Sequence, residues 1–206
     1  LEACVETLGQ AICAEKMNAD RVEVCGRLDL DGITPDRSVI ASAIKDLTIP
    51  VKIMIRPRGG DFVYSDPEII TMESDIKYCK DRGVTEVVLG LLTEGGEIDT
   101  KHTKRLSELA FPMRVTFHKA IDHTNDILRS IEDLAEIRCV TSILTSGGQR
   151  TAVDGQDMIK KIIEQFSSEL NIIVAGSITK DNLSEVHNIL GSKEYHGKNI
   201  VGDLTL

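Results

Sequence analysis

The chain has 206 residues and a net charge of −9, with 41% hydrophobic and 3% aromatic residues and no Trp. That length suits one large domain or two small ones, with enough apolar residues for a substantial aliphatic core. The negative charge disfavours phosphate backbones, the scarcity of aromatics disfavours base stacking, and no apolar run is long enough to cross a membrane. Nucleic-acid and membrane partners are therefore not expected. Five cysteines at wide, irregular spacing argue against a disulfide scaffold and point to reduced thiols in a cytoplasm. No signal peptide is visible.

In chain order, β-branched runs predict strands at 1–5, 21–25, 51–56, 86–92, 114–119, 142–146, 171–175 and 195–201. Helices are predicted between them at 8–17, 36–46, 67–82, 100–109, 125–137, 152–167 and 180–190. Thr34-Pro35 and Asp66-Pro67 read as N-cap followed by Pro, and Gly83 and Gly191 read as helix stops. Ile69, Met72, Ile76 and Cys79 make one apolar stripe. Strict β–α alternation predicts parallel strands with right-handed crossovers. Eight strands predict a single (β/α)8 barrel domain over 1–206, of TIM type, small and without a predicted last helix. The other reading is an open doubly wound sheet, but no GxGxxG follows the first strand.

Side-chain alternation sorts the early strands. Ala3, Val5, Val22, Val24, Ile53 and Ile55 face the helices. Glu2, Cys4, Glu6, Arg21, Glu23, Cys25, Lys52, Met54, Arg56 and His118 face the barrel axis. Buried charges are costly unless paired or ligated, so this cluster is a candidate site. A structural ion-pair layer at the barrel bottom is the competing explanation for Glu2 and Arg21. Glu6, Cys25, Arg56 and His118 lie at strand ends, where barrel enzymes place their chemistry. As an enzyme, the chain would use Arg56 and Arg58 to hold an anion. His118 would serve as acid or base, oriented by Glu6 or Glu23. Ser146, Gly147 and Gly148, and then Gly176 and Ser177, form glycine turns that suit anion binding or ordinary tight turns equally well.

Cys4 and Cys25 fall on adjacent strands. If their thiols share a height they suit one soft ion such as Cu(I); otherwise they are small buried hydrophobes. Cys13, Cys79 and Cys139 read as packing residues. His102, His123 and His187 read as surface residues, and His196 is ambiguous.

Five runs carry a family resemblance: EACVE at 2–6, DRVEVC at 20–25, MIRPRGGDFVYS at 54–65, VTFHKA at 115–120 and LTSGG at 144–148. Together they resemble the CutC copper homeostasis family, over essentially the whole chain. The resemblance implies a TIM-type barrel, a cytoplasmic location, a homodimer or homotetramer, and a role in copper tolerance or trafficking. It also implies Cu(I) binding with Cys4 and Cys25 as ligands. The alternative is an enzyme for a small phosphorylated or carboxylated metabolite at the barrel mouth. A third is a scaffold whose barrel only supports assembly.

Overall fold

In the computed structural model, residues 1–205 are described. Eight parallel strands close into a barrel in sequence order: β1 (Glu2–Val5), β2 (Arg21–Val24), β3 (Val51–Met54), β4 (Glu86–Leu89), β5 (Arg114–Phe117), β6 (Val140–Thr145), β7 (Asn171–Val174) and β8 (Glu194–Gly197). Seven helices surround them: α1 (Leu8–Lys16), α2 (Arg37–Asp46), α3 (Asp66–Asp81), α4 (Thr100–Ala110), α5 (Ile127–Ala135), α6 (Gln156–Phe166) and α7 (Leu183–Leu190). No helix follows β8 among the described residues. The predicted (β/α)8-type barrel lacking its last helix is therefore the observed fold.

The strands run shorter than alternation alone suggests. Predicted strand 51–56 stops at Met54, and 114–119 stops at Phe117. Beyond those points the backbone leaves the ladder to build the mouth, in one case as a 3-10 turn, Lys119–His123. Two N-caps differ from expectation. Ser65, not Asp66, caps α3, in a reciprocal box with Glu68, so Pro67 sits within the first turn. Asp36, not Thr34, holds the N-cap position of α2. Gly191 ends α7 in the left-handed conformation (φ 60°).

The main core lies between the sheet and the helices. Outward residues Ala3, Val5, Val22, Val24, Ile53 and Phe117 are fully buried against helix stripes such as Ile69, Met72, Ile76 and Cys79 of α3. Truncating one such residue, Ile76→Ala for example, removes packing worth roughly 2–5 kcal/mol. Among the described residues, two small apolar clusters lie inside the barrel. One contains Cys4, Cys25, Met54 and Val88; the other contains Leu144, Ile173 and Ala175. The rest of the interior is polar.

Closure depends on β8, whose His196 and Gly197 pair with Glu2 and Ala3 of β1. A Cβ on Gly197 would lie 2.2 Å from the Ile178 carbonyl oxygen, so only glycine lets the β7 loop pass there.

Candidate metal centre

The barrel floor is an ion-pair layer. Glu2 is completely buried. It accepts from Arg21, from Lys52 Nζ at 3.0 Å and from His196 Nδ1 at 2.7 Å. Lys52 Nζ also reaches Glu86 at 2.6 Å and Thr116 Oγ1 at 3.0 Å. Strand register explains the pairing: Glu2 lies opposite Arg21, and Lys52 opposite Glu86. Burial works against the Glu2 carboxylate, but His196, Lys52 and Arg21 outweigh it and hold Glu2 well below the usual carboxylate range. The structural reading of Glu2 and Arg21 accounts for most of this layer.

One step toward the mouth sit the thiols. Cys4 is opposite Glu23 in the β1–β2 register, and Cys25 lies just beyond the end of β2 on the same inner face. Their Sγ atoms are 3.8 Å apart. Glu23 Oε1 accepts from Cys25 at 3.2 Å and lies 3.9 Å from Cys4 Sγ, while Glu23 Oε2 is buried without a partner. Cys4, Glu23 and Cys25 form a cluster whose donor atoms all lie within 4.8 Å of one another, and Glu2, Glu23 and His196 form a second.

Proton sharing makes the two sulfurs unequal. The hydrogen bond from Cys25 is the main influence on the Cys4 thiol. With help from His196 it outweighs burial and brings Cys4 down to about 5. Cys25 is pushed well above the ordinary thiol value by that same hydrogen bond, by burial and by the Cys4 charge. Burial raises Glu23 to about 7. Burial opposes charge on His196, but the charges of Glu23, Cys4 and Glu2 keep it protonated well above the usual imidazole range. The pair thus holds one proton at neutral pH, which is the arrangement of a poised thiolate.

These groups sit at the bottom of a cavity of about 560 Å³ that opens at the C-terminal ends of the strands. Of the residues predicted around one mouth, Glu23, Cys25, Arg56, His118, Gly176 and Ser177 line it, together with Cys4 and Met54. Glu6 does not. β1 ends at Val5, and Glu6 turns into the Thr7 cap of α1. Arg58 does not line it either, because its guanidinium is tied to Glu68 at 2.6 Å and Asp61 at 2.9 Å.

Arg56 is 3% exposed and gives its terminal nitrogens to the carbonyls of Leu30, Gly32 and Gly60, so it holds two loops. His118 accepts the Ala120 N–H at Nδ1 (3.1 Å) and meets the Phe62 ring at a tilt, with centroids 5.1 Å apart. Burial, then the nearby Arg56 charge, push it down to about 3. Among the described residues no carboxylate orients this neutral imidazole, unlike the acid–base pair expected with Glu6 or Glu23. A Cβ on Gly90 would lie 2.4 Å from the ring, so that glycine makes room for it.

The Ser146–Gly148 turn carries an anion of its own. Asp122 accepts from Ser146 N at 3.0 Å, Gly148 N at 2.9 Å, Thr145 Oγ1 at 2.5 Å and Lys119 Nζ at 2.6 Å. Gly147 N bonds to Thr145 Oγ1 at 2.9 Å. The expected anion cradle after β6 is filled by an internal carboxylate. Asp122 lies in a short 3-10 turn with no periodic signal, and sequence reasoning passed over it. From sequence His196 is ambiguous, because only its pairing with β1 turns it inward. Lys52 and Glu86 find each other only through register.

A CutC family model matches residues 1–201. The chain is 39% identical over 196 residues to the human protein named copper homeostasis protein cutC homolog, covering 95% of this chain and 71% of that one. It is also 39% identical over 196 residues to a CutC protein of Histophilus somni, covering 95% and 80%. The structure of a CutC protein of Streptococcus agalactiae superposes with a TM-score of 0.91 at 33% identity, over 97% of this chain and 98% of that one. N-acetylneuraminate lyase of Fusobacterium nucleatum, at 12% identity and TM-score 0.70 over 98% of this chain and 69% of that one, shares the fold alone. The chain belongs to the CutC family.

Proposed function

We propose that this protein binds Cu(I) through Cys4 and Cys25 and serves cytoplasmic copper tolerance or trafficking. The reading rests on two buried sulfurs 3.8 Å apart beside a buried carboxylate. That separation is within the span of two metal–thiolate bonds of roughly 2.3 Å each, the zinc value. It is also well beyond a disulfide bond of about 2.05 Å. Buried cysteines that only pack do not need a carboxylate beside them, and Glu23 Oε2 is buried there with no hydrogen-bond partner. The Met54 thioether in the same cluster makes the donor set soft, which favours Cu(I) over harder divalent ions. A structural zinc site would ask for four closed tetrahedral ligands. The name of the human relative, copper homeostasis protein, supports the same ion.

The test is an anaerobic Cu(I) titration against a chromophoric chelator. Wild type should take up one ion per chain, and Cys4→Ser and Cys25→Ser should each lose most of the affinity. Glu23→Gln should lose roughly 10–100-fold, as supporting groups around a metal typically do. Unchanged affinity in the Cys4→Ser/Cys25→Ser double variant would remove the proposal.

A further inference from the structure

Three cations that line the cavity above the thiols, Arg56, Arg150 and Lys198, have no ion-pair partner among the described residues. Arg56 is 3% exposed, its partners are three carbonyls, and its Nε has none. Among the described residues no carboxylate pairs with it. A buried guanidinium satisfied only by dipoles remains an uncompensated charge. At the rim, Arg150 and Lys198 line the same cavity, and neither forms a salt bridge among the described residues; Lys198 Nζ reaches only the Leu28 carbonyl, at 3.2 Å. The wall holds two carboxylates, Glu23 at the floor and Asp31 near the rim. In a chain of net charge −9, three cations without an ion-pair partner on one cavity wall are a local concentration of positive charge.

The backbone adds donors at the same place. Gly176 (φ 109°) and Ser177 (φ 56°) turn at the rim with consecutive positive φ, and no acceptor among the described residues takes their N–H groups. A Cβ on Gly176 would lie 2.8 Å from Ala152 N, so the turn depends on glycine. Turns of this kind form small concave anion sites. Deeper in the wall, the neutral His118 accepts at Nδ1, which puts its proton on Nε2, and Nε2 is buried without a partner.

We propose that this cavity binds a small organic oxyanion, a phosphate monoester or carboxylate, with its charged end at Arg150, Lys198 and the Gly176–Ser177 turn. Its body lies over Phe62 toward His118, and its charge balances Arg56. The site differs from the expected one. Arg58 and the Ser146–Gly148 turn take no part, while Arg150 and Lys198 supply the charge. It does not depend on copper binding.

The experiment is calorimetric titration of reduced, copper-free protein at low ionic strength with glycerol 3-phosphate, succinate and inorganic phosphate. Saturable one-to-one binding of at least one probe is expected, and the strongest binder shows whether phosphate or carboxylate chemistry is preferred. Arg150→Ala/Lys198→Ala should weaken it roughly tenfold or more, the scale of charge-assisted hydrogen bonds. Both side chains are exposed, so that variant keeps its core. Arg58→Ala should bind as wild type, and Arg150→Ala/Lys198→Ala should keep wild-type Cu(I) uptake, which separates this result from the copper titration. Two outcomes overturn the proposal: no saturable binding of any probe at millimolar concentration, or equal binding by wild type and the Arg150/Lys198 variant.

Discussion

His196 Nδ1 and Glu2 Oε1 lie 2.7 Å apart across the seam where β8 closes on β1, joining the ion-pair floor of the barrel to the thiol layer above it. Glu2 gains stability from cations on three strands, and His196 keeps its charge through Glu23, Cys4 and Glu2 together. Floor and site are one electrostatic unit.

Removing one member should therefore cost far more than a surface pair. Lys52 is 2% exposed and bridges Glu2 and Glu86. Lys52→Met leaves two buried carboxylates facing each other, and breaking a buried pair typically costs about 3–5 kcal/mol. Urea unfolding of the variant at neutral pH measures it. A loss below about 1 kcal/mol, the worth of an exposed pair, would show that water reaches the floor.

Copper uptake should depend on pH with a defined slope. Cys4 is already a thiolate at neutral pH, so only Cys25 must lose a proton, and its thiol lies well above the ordinary range. Between pH 7.5 and 8.5 Glu23, near 7, is largely ionised. One proton should leave per Cu(I), and apparent affinity should rise about tenfold per pH unit. Chelator competition at several pH values reads the slope; a slope of zero or two would refute the one-proton pair.

Glu23 should weaken the fold as pH rises. Its carboxyl titrates near 4.5 when unconstrained and near 7 when folded, because burial penalises the charge. The raised folded value means its contribution is intact below about 4.5, fades between, and is lost above about 7. Glu23→Gln keeps an acceptor for Cys25 and removes the charge. It should raise the Tm of copper-free protein at pH 8 and leave it nearly unchanged at pH 4.5, with at most about 3 kcal/mol gained. Equal Tm changes at the two pH values would contradict this assignment.

Asp122 should prove structural. Asp122→Ala strips the acceptor from Ser146 N, Gly148 N and Lys119 Nζ. Unsatisfied buried donors cost about 1–3 kcal/mol each, so a drop in that range or somewhat above it is expected in thermal unfolding. Hydrogen exchange should quicken at Ser146 and Gly148 while β1 and β2 stay protected. Unchanged exchange there would mean that water replaces the carboxylate without loss.

The inward set was legible wherever a strand lasted. Cys4, Glu23, Lys52 and Met54 followed from alternation, because period two holds inside a ladder. Past a strand end alternation held for Cys25 and His118 and failed for Glu6. Glu6 was carried along a strand that had already turned into a helix cap, and Arg58, in the loop after β3, is tied to Glu68 and Asp61 instead of facing the mouth. Pair identity was hidden as well. Which cation meets Glu2, and that His196 joins it, depends on register between strands up to 194 residues apart in sequence. Asp122 was illegible for a different reason: it occupies a turn after β5 and serves a loop after β6, a contact with no local pattern.

X-ray absorption at the copper edge of the Cu(I)-loaded protein tests the central claim most directly. Two sulfur scatterers per copper are expected in wild type, falling to one in Cys4→Ser and in Cys25→Ser. A wild-type shell containing only nitrogen and oxygen, or one unchanged by both substitutions, would contradict the thiol pair as the copper site.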